Sequence, residues 1–214
     1  MVPLGVELVA QRTLGVEEVE EVHHTFLENA LLKARHASRF SGLPALADDS
    51  GLCTVALQGA PGVRSARFAA DARGAVTIGS GRVPAGAQTR VQDQDQAWAT
   101  EELSEEKRST ATVDARNNAE LLRRLAGQTR AAWYVCVLVL VRSPDDPHPI
   151  VVDAIWRGEV VDEPRGHHGF GYDPHFFLPD LGMTVAELEP AHKNALSHRG
   201  RAIQALLARL RELH

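Results

Sequence analysis

Two adjacent carboxylates, Asp48 and Asp49, lead into Ser50 and Gly51 directly after the apolar run Leu43-Pro44-Ala45-Leu46-Ala47. Paired carboxylates at the carboxyl end of a strand suit a hard cation such as Mg²⁺, which takes oxygen ligands. Ligands of open α/β sheets also gather at those ends. The same residues can form an ordinary polar turn, since Asp, Ser and Gly are turn formers. Upstream, Glu20 and Glu21 make a second acidic pair, and a charge run of that kind usually faces solvent. A hydrolase triad on Ser50 is not expected, because no Gly-x-Ser-x-Gly elbow surrounds it.

Two further clusters carry binding chemistry. In Pro164-Arg165-Gly166-His167-His168-Gly169-Phe170-Gly171-Tyr172-Asp173-Pro174, three glycines permit close backbone approach to a ligand. Phe170 and Tyr172 offer flat faces for a base, with Asp173 as an acceptor beside them. A tight structural turn is the competing reading. His167 and His168 would point to opposite faces of a strand, which argues against a shared metal. In His192-Lys193-Asn194-Ala195-Leu196-Ser197-His198-Arg199-Gly200, Ser197 can cap the last helix. Lys193, His198 and Arg199 gather donors at that helix start. Cations oppose the helix dipole there, so a phosphate or base is expected to compensate them.

The elements that must position these clusters follow from periodicity. Gly5 to Ala10 alternates and predicts a strand. Thr25 stands three residues before Glu28, the spacing of a capping box, and Leu27, Ala30, Leu31 and Ala34 predict an amphipathic helix over 25–38. Residues 43–47 predict a strand ending in the polar turn at Asp48. Residues 69–113 hold few large apolar side chains and predict a mobile insertion, with a solvated helical turn at 101–107. Asp114 is expected to cap a helix carrying Leu121, Leu122 and Leu125. Trp133 to Val141 predicts a strand buried on both faces. Ile150–Trp156 and Glu159–Val161 predict two more strands, and Ala202 to Leu213 a closing helix. The class is α/β.

With 214 residues, the chain fits a single domain, large enough to bury a core without disulfides. A net charge of -5 argues against general nucleic-acid binding, which needs clustered Lys and Arg. No apolar stretch approaches the roughly 18 residues of a membrane span. Cys53 and Cys136 lie in apolar runs and read as buried thiols of a cytoplasmic protein.

Taken in order, the motifs resemble the inosine triphosphate pyrophosphatase family. The likeness rests on Thr25-Phe26-x-Glu28-Asn29-Ala30 with Lys33-Ala34, Leu43-Pro44-Ala45-Leu46-Ala47-Asp48-Asp49-Ser50-Gly51-Leu52, and Gly59-Ala60-Pro61-Gly62-Val63-x-Ser65-Ala66-Arg67-Phe68. It continues in Gly169-Phe170-Gly171-Tyr172-Asp173-Pro174, Thr184-x-Ala186-Glu187-Leu188 and Lys193 with Ser197-His198-Arg199-Gly200. The resemblance implies a long mixed sheet with helices, in two lobes around a cleft, working as a homodimer. It implies Mg²⁺-dependent hydrolysis of ITP, dITP and XTP to the monophosphate and pyrophosphate. Asp49 would then be metal ligand and proton acceptor, with Glu20 or Glu21 sharing the metal. Ser50 would contact substrate, Phe170, Gly171, Tyr172 and Asp173 would line the base pocket, Lys193 would meet phosphate, and His198 and Arg199 would read the base.

The sequence departs from the family pattern twice. Family members open with a strand ending in a Ser/Thr-Gly-Asn-x-x-Lys loop that cradles the triphosphate, whereas Val2 to Gln11 already matches their second strand and no Ser/Thr-Gly-Asn occurs elsewhere. The expectation is either a start encoded upstream of Met1 or a chain that binds purine nucleotides without efficient hydrolysis. The 69–113 insertion is the second departure, and a partner-docking role for it is the weakest reading because it is polar and low in complexity, with Trp98 its single aromatic residue.

Overall fold

The computed structural model describes residues 6–74 and 105–212. Its frame is a five-stranded sheet in the order β1 (Ala45–Thr54), β2 (Ala131–Val141), β3 (Ile150–Val160), β4 (Phe176–Leu178) and β5 (Met183–Thr184). Every pairing in it is antiparallel, which corrects the expectation of a mixed sheet for the described residues. Helices α1 (Phe26–Ser41), α2 (Phe68–Gly74), α3 (Glu105–Leu125), α4 (Pro190–Leu196) and α5 (His198–Glu212) surround it. The chain is thus mixed α and β, as expected.

The apolar run 133–141 explains the arrangement. Side chains of β2 alternate between faces, and both are buried. Val137, Val139 and Val141 pack with Ala30 and Ala34 of α1. Cys136 and Leu138 pack with Ala202 and Leu206 of α5. A third cluster joins Leu52, Leu121, Leu125, Tyr134, Trp156, Tyr172 and Phe176 between the sheet and α3.

Helix α1 starts as its sequence dictates: Glu28 N–H donates to Thr25 Oγ1 at 3.2 Å, and Gly42 ends it in the left-handed region at φ 71°. α5 starts at Ser197, whose Oγ accepts Gly200 N–H at 3.1 Å.

Four local expectations are corrected. Residues 6–10 form no strand; a 3₁₀ turn follows at Gln11–Leu14, and Val6, Leu8 and Val9 stay exposed. Asp48–Gly51 is not a turn after a strand but the middle of β1, because β2 offers an unbroken partner from Ala45↔Val141 to Thr54↔Ala132. Glu159 and Val160 continue β3 rather than starting a strand, paired through Ala131↔Glu159. Helix α3 begins at Glu105, so Asp114 lies inside it and caps nothing, and α2 occupies 68–74. The rest of the expected insertion, 75–104, lies outside the described residues.

Gly200 decides how α4 meets α5. A Cβ there would lie 1.8 Å from the Asn194 carbonyl oxygen. Helix propensity alone favours Ala over Gly by about 1 kcal/mol, but backbone overpacking costs roughly 1–3 kcal/mol. The clash wins. Gly200→Ala is expected to lower stability by about 1–2 kcal/mol, measured as the urea midpoint; an unchanged or raised midpoint would show that the α4–α5 junction has room to spare.

Candidate functional site

Strand alternation places Asp48 and Asp49 on opposite faces of β1. On the α1 face, Lys33 Nζ donates to Glu21 Oε1 at 2.7 Å and to Asp49 Oδ1 at 3.4 Å. Asp49 Oδ1 also accepts Ser50 N–H at 3.1 Å. Asp49 is 6% exposed, and its Oδ2 is buried with no partner among the described residues. Burial raises the Asp49 pKa; Lys33 counters this by favouring the carboxylate, Glu21 adds to the rise, and the nearby Asn29 amide also favours the charged form. Glu20, by contrast, is exposed and stands outside this cluster. Arg67 fixes the approach of Glu21, donating from Nη2 to its carbonyl oxygen at 3.1 Å.

The other face holds Asp48. Its Oδ2 accepts from Arg199 Nε and Nη2, both at 3.1 Å, and from Ser50 Oγ at 3.0 Å. The adjacent carboxylates therefore do not converge on one cation. Asp48 orients Arg199 and Ser50, and only Asp49 meets Glu21.

Beyond Arg199, the glycine-rich loop and the α4–α5 junction meet at Asp173, which is 4% exposed. Its Oδ1 accepts the Tyr134 hydroxyl at 3.2 Å; its Oδ2 accepts Phe170 N–H at 2.9 Å and pairs with Lys193 Nζ. Lys193 Nζ also lies 4.7 Å from the centroid of the Phe170 ring, a cation–π contact. Gly169 must be glycine: its φ is +84°, and a Cβ would meet Asp173 Oδ2 at 2.1 Å. Tyr172 is buried and anchors the loop by donating to Ser65 O at 2.8 Å. Gly171 donates its N–H to Asp114 Oδ2. His198 stacks on Tyr134 with centroids 4.8 Å apart. Burial, with Arg199 and Lys193 nearby, pushes the imidazole pKa down to about 3, so the ring is neutral near pH 7. Its Nδ1 is buried and without a partner among the described residues.

The structure thus gathers Phe170, Asp173, Lys193 and His198 around Tyr134, and ties Arg199 and Ser50 to Asp48. Asp49 and Glu21 meet through Lys33. His167 and His168 lie in the glycine-rich loop, not in a strand, and both donate backbone N–H to Ala186 O. The sequence motifs by themselves assign no site role to Tyr134, Arg67 or Lys33. Tyr134 is hidden in an apolar run; Lys33 and Arg67 stand inside the family-like motifs, and Lys33 is also a cation between the buried Ala30 and Ala34. A cavity of about 1160 Å³ opens beside the Asp49 cluster, lined among others by Glu21, Lys33, His36, Arg67 and Asp48.

Comparison with known proteins agrees with these motifs. The Ham1 family profile matches residues 3–103 and 102–209. A dITP/XTP pyrophosphatase of Bordetella pertussis is 52% identical over 210 residues, covering 98% of this chain and 82% of that protein. One from Chromobacterium violaceum is 52% identical over 211 residues, covering 98% and 87%. Among solved structures, a HAM1 protein from Coxiella burnetii superposes with a TM-score of 0.75 at 37% identity, covering 98% of this chain and 88% of that one. The Staphylococcus aureus Ham1 protein gives 0.69 at 33% identity, covering 95% and 85%. By sequence and by fold, the chain belongs to the Ham1 family.

Proposed function

We propose that the chain hydrolyses dITP, XTP and ITP to the nucleoside monophosphate and pyrophosphate, the first two being the substrates that name its relatives. Identity of 52% across nearly the whole chain favours turnover over binding without hydrolysis. The observation that carries the chemistry is Asp49, a buried carboxylate with one unpartnered oxygen while Lys33 ties the other to Glu21. In this reading Asp49 accepts the proton of the attacking water. Burial makes it a stronger base than a surface aspartate, and Lys33 keeps it ionised.

A divalent cation fits the donor set. Among the described residues no group of three or more His, Cys, Asp or Glu converges. Asp49 and Glu21 are two carboxylates, the number with which Mg²⁺ is commonly held when phosphates and waters complete its shell. These two would hold it, and when bound it would supply charge neutralisation for the leaving pyrophosphate. Lys33, His36 and Arg67 line the adjoining cavity, where they would receive a polyphosphate. The purine lies on Phe170 in this reading, with Lys193 at its rim, Asp173 and Tyr172 fixing the loop, and Ser50 holding Asp48. His198 and Arg199 face the base edge. A 6-oxo group offers them an acceptor; the adenine amino group leaves a buried donor unpaired, which costs roughly 1–3 kcal/mol. The working unit is a cytoplasmic homodimer, as the family resemblance implies.

The direct test is pyrophosphate release from dITP, XTP and dATP in the presence of Mg²⁺. Turnover of dITP is expected to exceed that of dATP by roughly tenfold or more; equal rates would sink the assignment. Asp49→Asn keeps the shape and removes the charge, and a fall of about 10²-fold or more in kcat is expected. Near-normal turnover by a folded Asp49→Asn protein would remove Asp49 from the chemistry.

The neutral His198 has its own check. Tyr134 stacks on it from β2, Lys193 approaches from α4, Arg199 stands beside it, and Asp48 faces it from β1. Its folded pKa lies near 3 against an ordinary 6.5, so between those values the unfolded chain binds the extra proton. Stability therefore rises with pH across that window and is lost on acidification. From pH 7.5 to 5 this one group is expected to cost about 2 kcal/mol. Urea unfolding of the parent protein and of His198→Gln at the two pH values reads the difference. If both lose stability equally, His198 is not a buried neutral imidazole.

A further inference from the structure

Helix α3 presents Asp114 and Asn118 one turn apart, hence on one face. Both reach the same residue of the glycine-rich loop. Asp114 Oδ2 accepts Gly171 N–H at 2.7 Å, and Asn118 Nδ2 donates to Gly171 O at 2.9 Å. Gly171 adopts a left-handed conformation, φ 62°. Its N–H shares a peptide plane with the Phe170 carbonyl, which accepts Asp173 N–H at 3.2 Å. The plane between 170 and 171 is therefore held at both ends, by Asp114 and by the Asp173 backbone. The plane between 171 and 172 is held by Asn118. Asn118 is 8% exposed and its Oδ1 has no partner among the described residues, so the Gly171 carbonyl alone sets which way the amide points.

Among the described residues the Phe170 side chain has less support: it is 63% exposed, and the contact on its ring is Lys193 Nζ. With so little packing around it, the ring inherits its tilt from the backbone of 169–173.

We propose that Asp114 and Asn118 are positioning residues for purine recognition: acting through the Gly171 backbone, they set the tilt of the Phe170 ring on which the base stacks. The inference rests on the proposed function, in which Phe170 is the base platform. Stacking is present in the ground state and the transition state alike. Its loss therefore raises KM and leaves kcat, whereas damage to the Asp49 side would lower kcat.

The test is steady-state kinetics with dITP for Asp114→Ala, Asp114→Asn, Asn118→Ala, Phe170→Ala and the Asp114→Ala/Phe170→Ala double variant. Asp114→Ala is expected to raise KM about tenfold, equivalent to about 1.4 kcal/mol, with kcat within about twofold. Asp114→Asn retains an acceptor for Gly171 N–H and should recover most of that loss. The double variant should match Phe170→Ala alone, because the residues act through one ring. An unchanged KM, a fall confined to kcat, or additivity in the double variant would overturn the positioning role. Should Asp114→Ala not fold, Asn118→Ala carries the same expectation. Calorimetric titration with IMP reads the stacking without turnover. A parent protein that binds IMP but hydrolyses neither dITP nor XTP would remove the proposed function, while the IMP affinities of the variants would still decide the role of α3.

Discussion

The ten-residue antiparallel ladder between β1 and β2 is the constraint on which the rest of the structure depends. β2 is apolar on both faces, so each face needs a helix; α1 covers one and α5 the other. β1 is drawn into register along its full length by that partner. Once it is, Asp48 and Asp49 have no choice of environment. The period of two sends one carboxylate toward α1 and Lys33, the other toward α5 and Arg199.

Electrostatics then sorts the two sides. On the α5 side the charges are matched: Asp48 takes Arg199, and Asp173 accepts from Tyr134, Phe170 N–H and Lys193. The Asp173–Lys193 pair is largely buried; such a pair stabilises little net, but removing one partner typically costs 3–5 kcal/mol. Such pairs fix geometry. They also leave His198 neutral, because a further positive charge would sit buried beside Lys193 and Arg199. On the α1 side the match is incomplete. Two carboxylates share the ammonium of Lys33, and one oxygen of Asp49 has no hydrogen bond of normal geometry among the described residues. The surplus negative charge on that side is what the proposed function uses for a cation and for proton transfer.

Elements whose signal is local were legible in the sequence. The Thr25 cap, the Ser197 cap, the doubly buried run 133–141 and the interleaving of helices and strands all appear as the residue patterns demand. Asp48–Gly51 was not legible, because its turn-forming composition is overridden by a pairing partner more than eighty residues away. Residues 6–10 fail in the opposite sense: an alternating pattern makes a strand only where a ladder is available. The start of α3 was hidden by a low content of apolar residues before Asp114. For the site, the motifs located the right segments, yet they could not say that adjacent residues face apart. Nor could they bring Tyr134 to Asp173, since a tyrosine in a run of valines reads as core until its hydroxyl is seen to reach a carboxylate.

The outer edge of β1 links the two sides. Its C-terminal half is covered by the 3₁₀ turn Gly62–Arg67: Leu52 N–H donates to Ser65 Oγ at 2.9 Å, and a Cβ on Gly51 would meet Gly62 O at 2.4 Å. Its N-terminal half, Ala45 to Asp48, instead forms a wall of the large cavity beside Lys33 and Arg67. Asp48 and Asp49 stand near the boundary between the covered half and the open one. The same turn carries Ser65, whose carbonyl holds Tyr172 of the glycine-rich loop, and Arg67, which holds Glu21 of the acidic cluster. One short turn therefore references both ends of the site to the ladder. That arrangement suits a reaction in which misplacing either end by about 1 Å can cost roughly 10²-fold in rate.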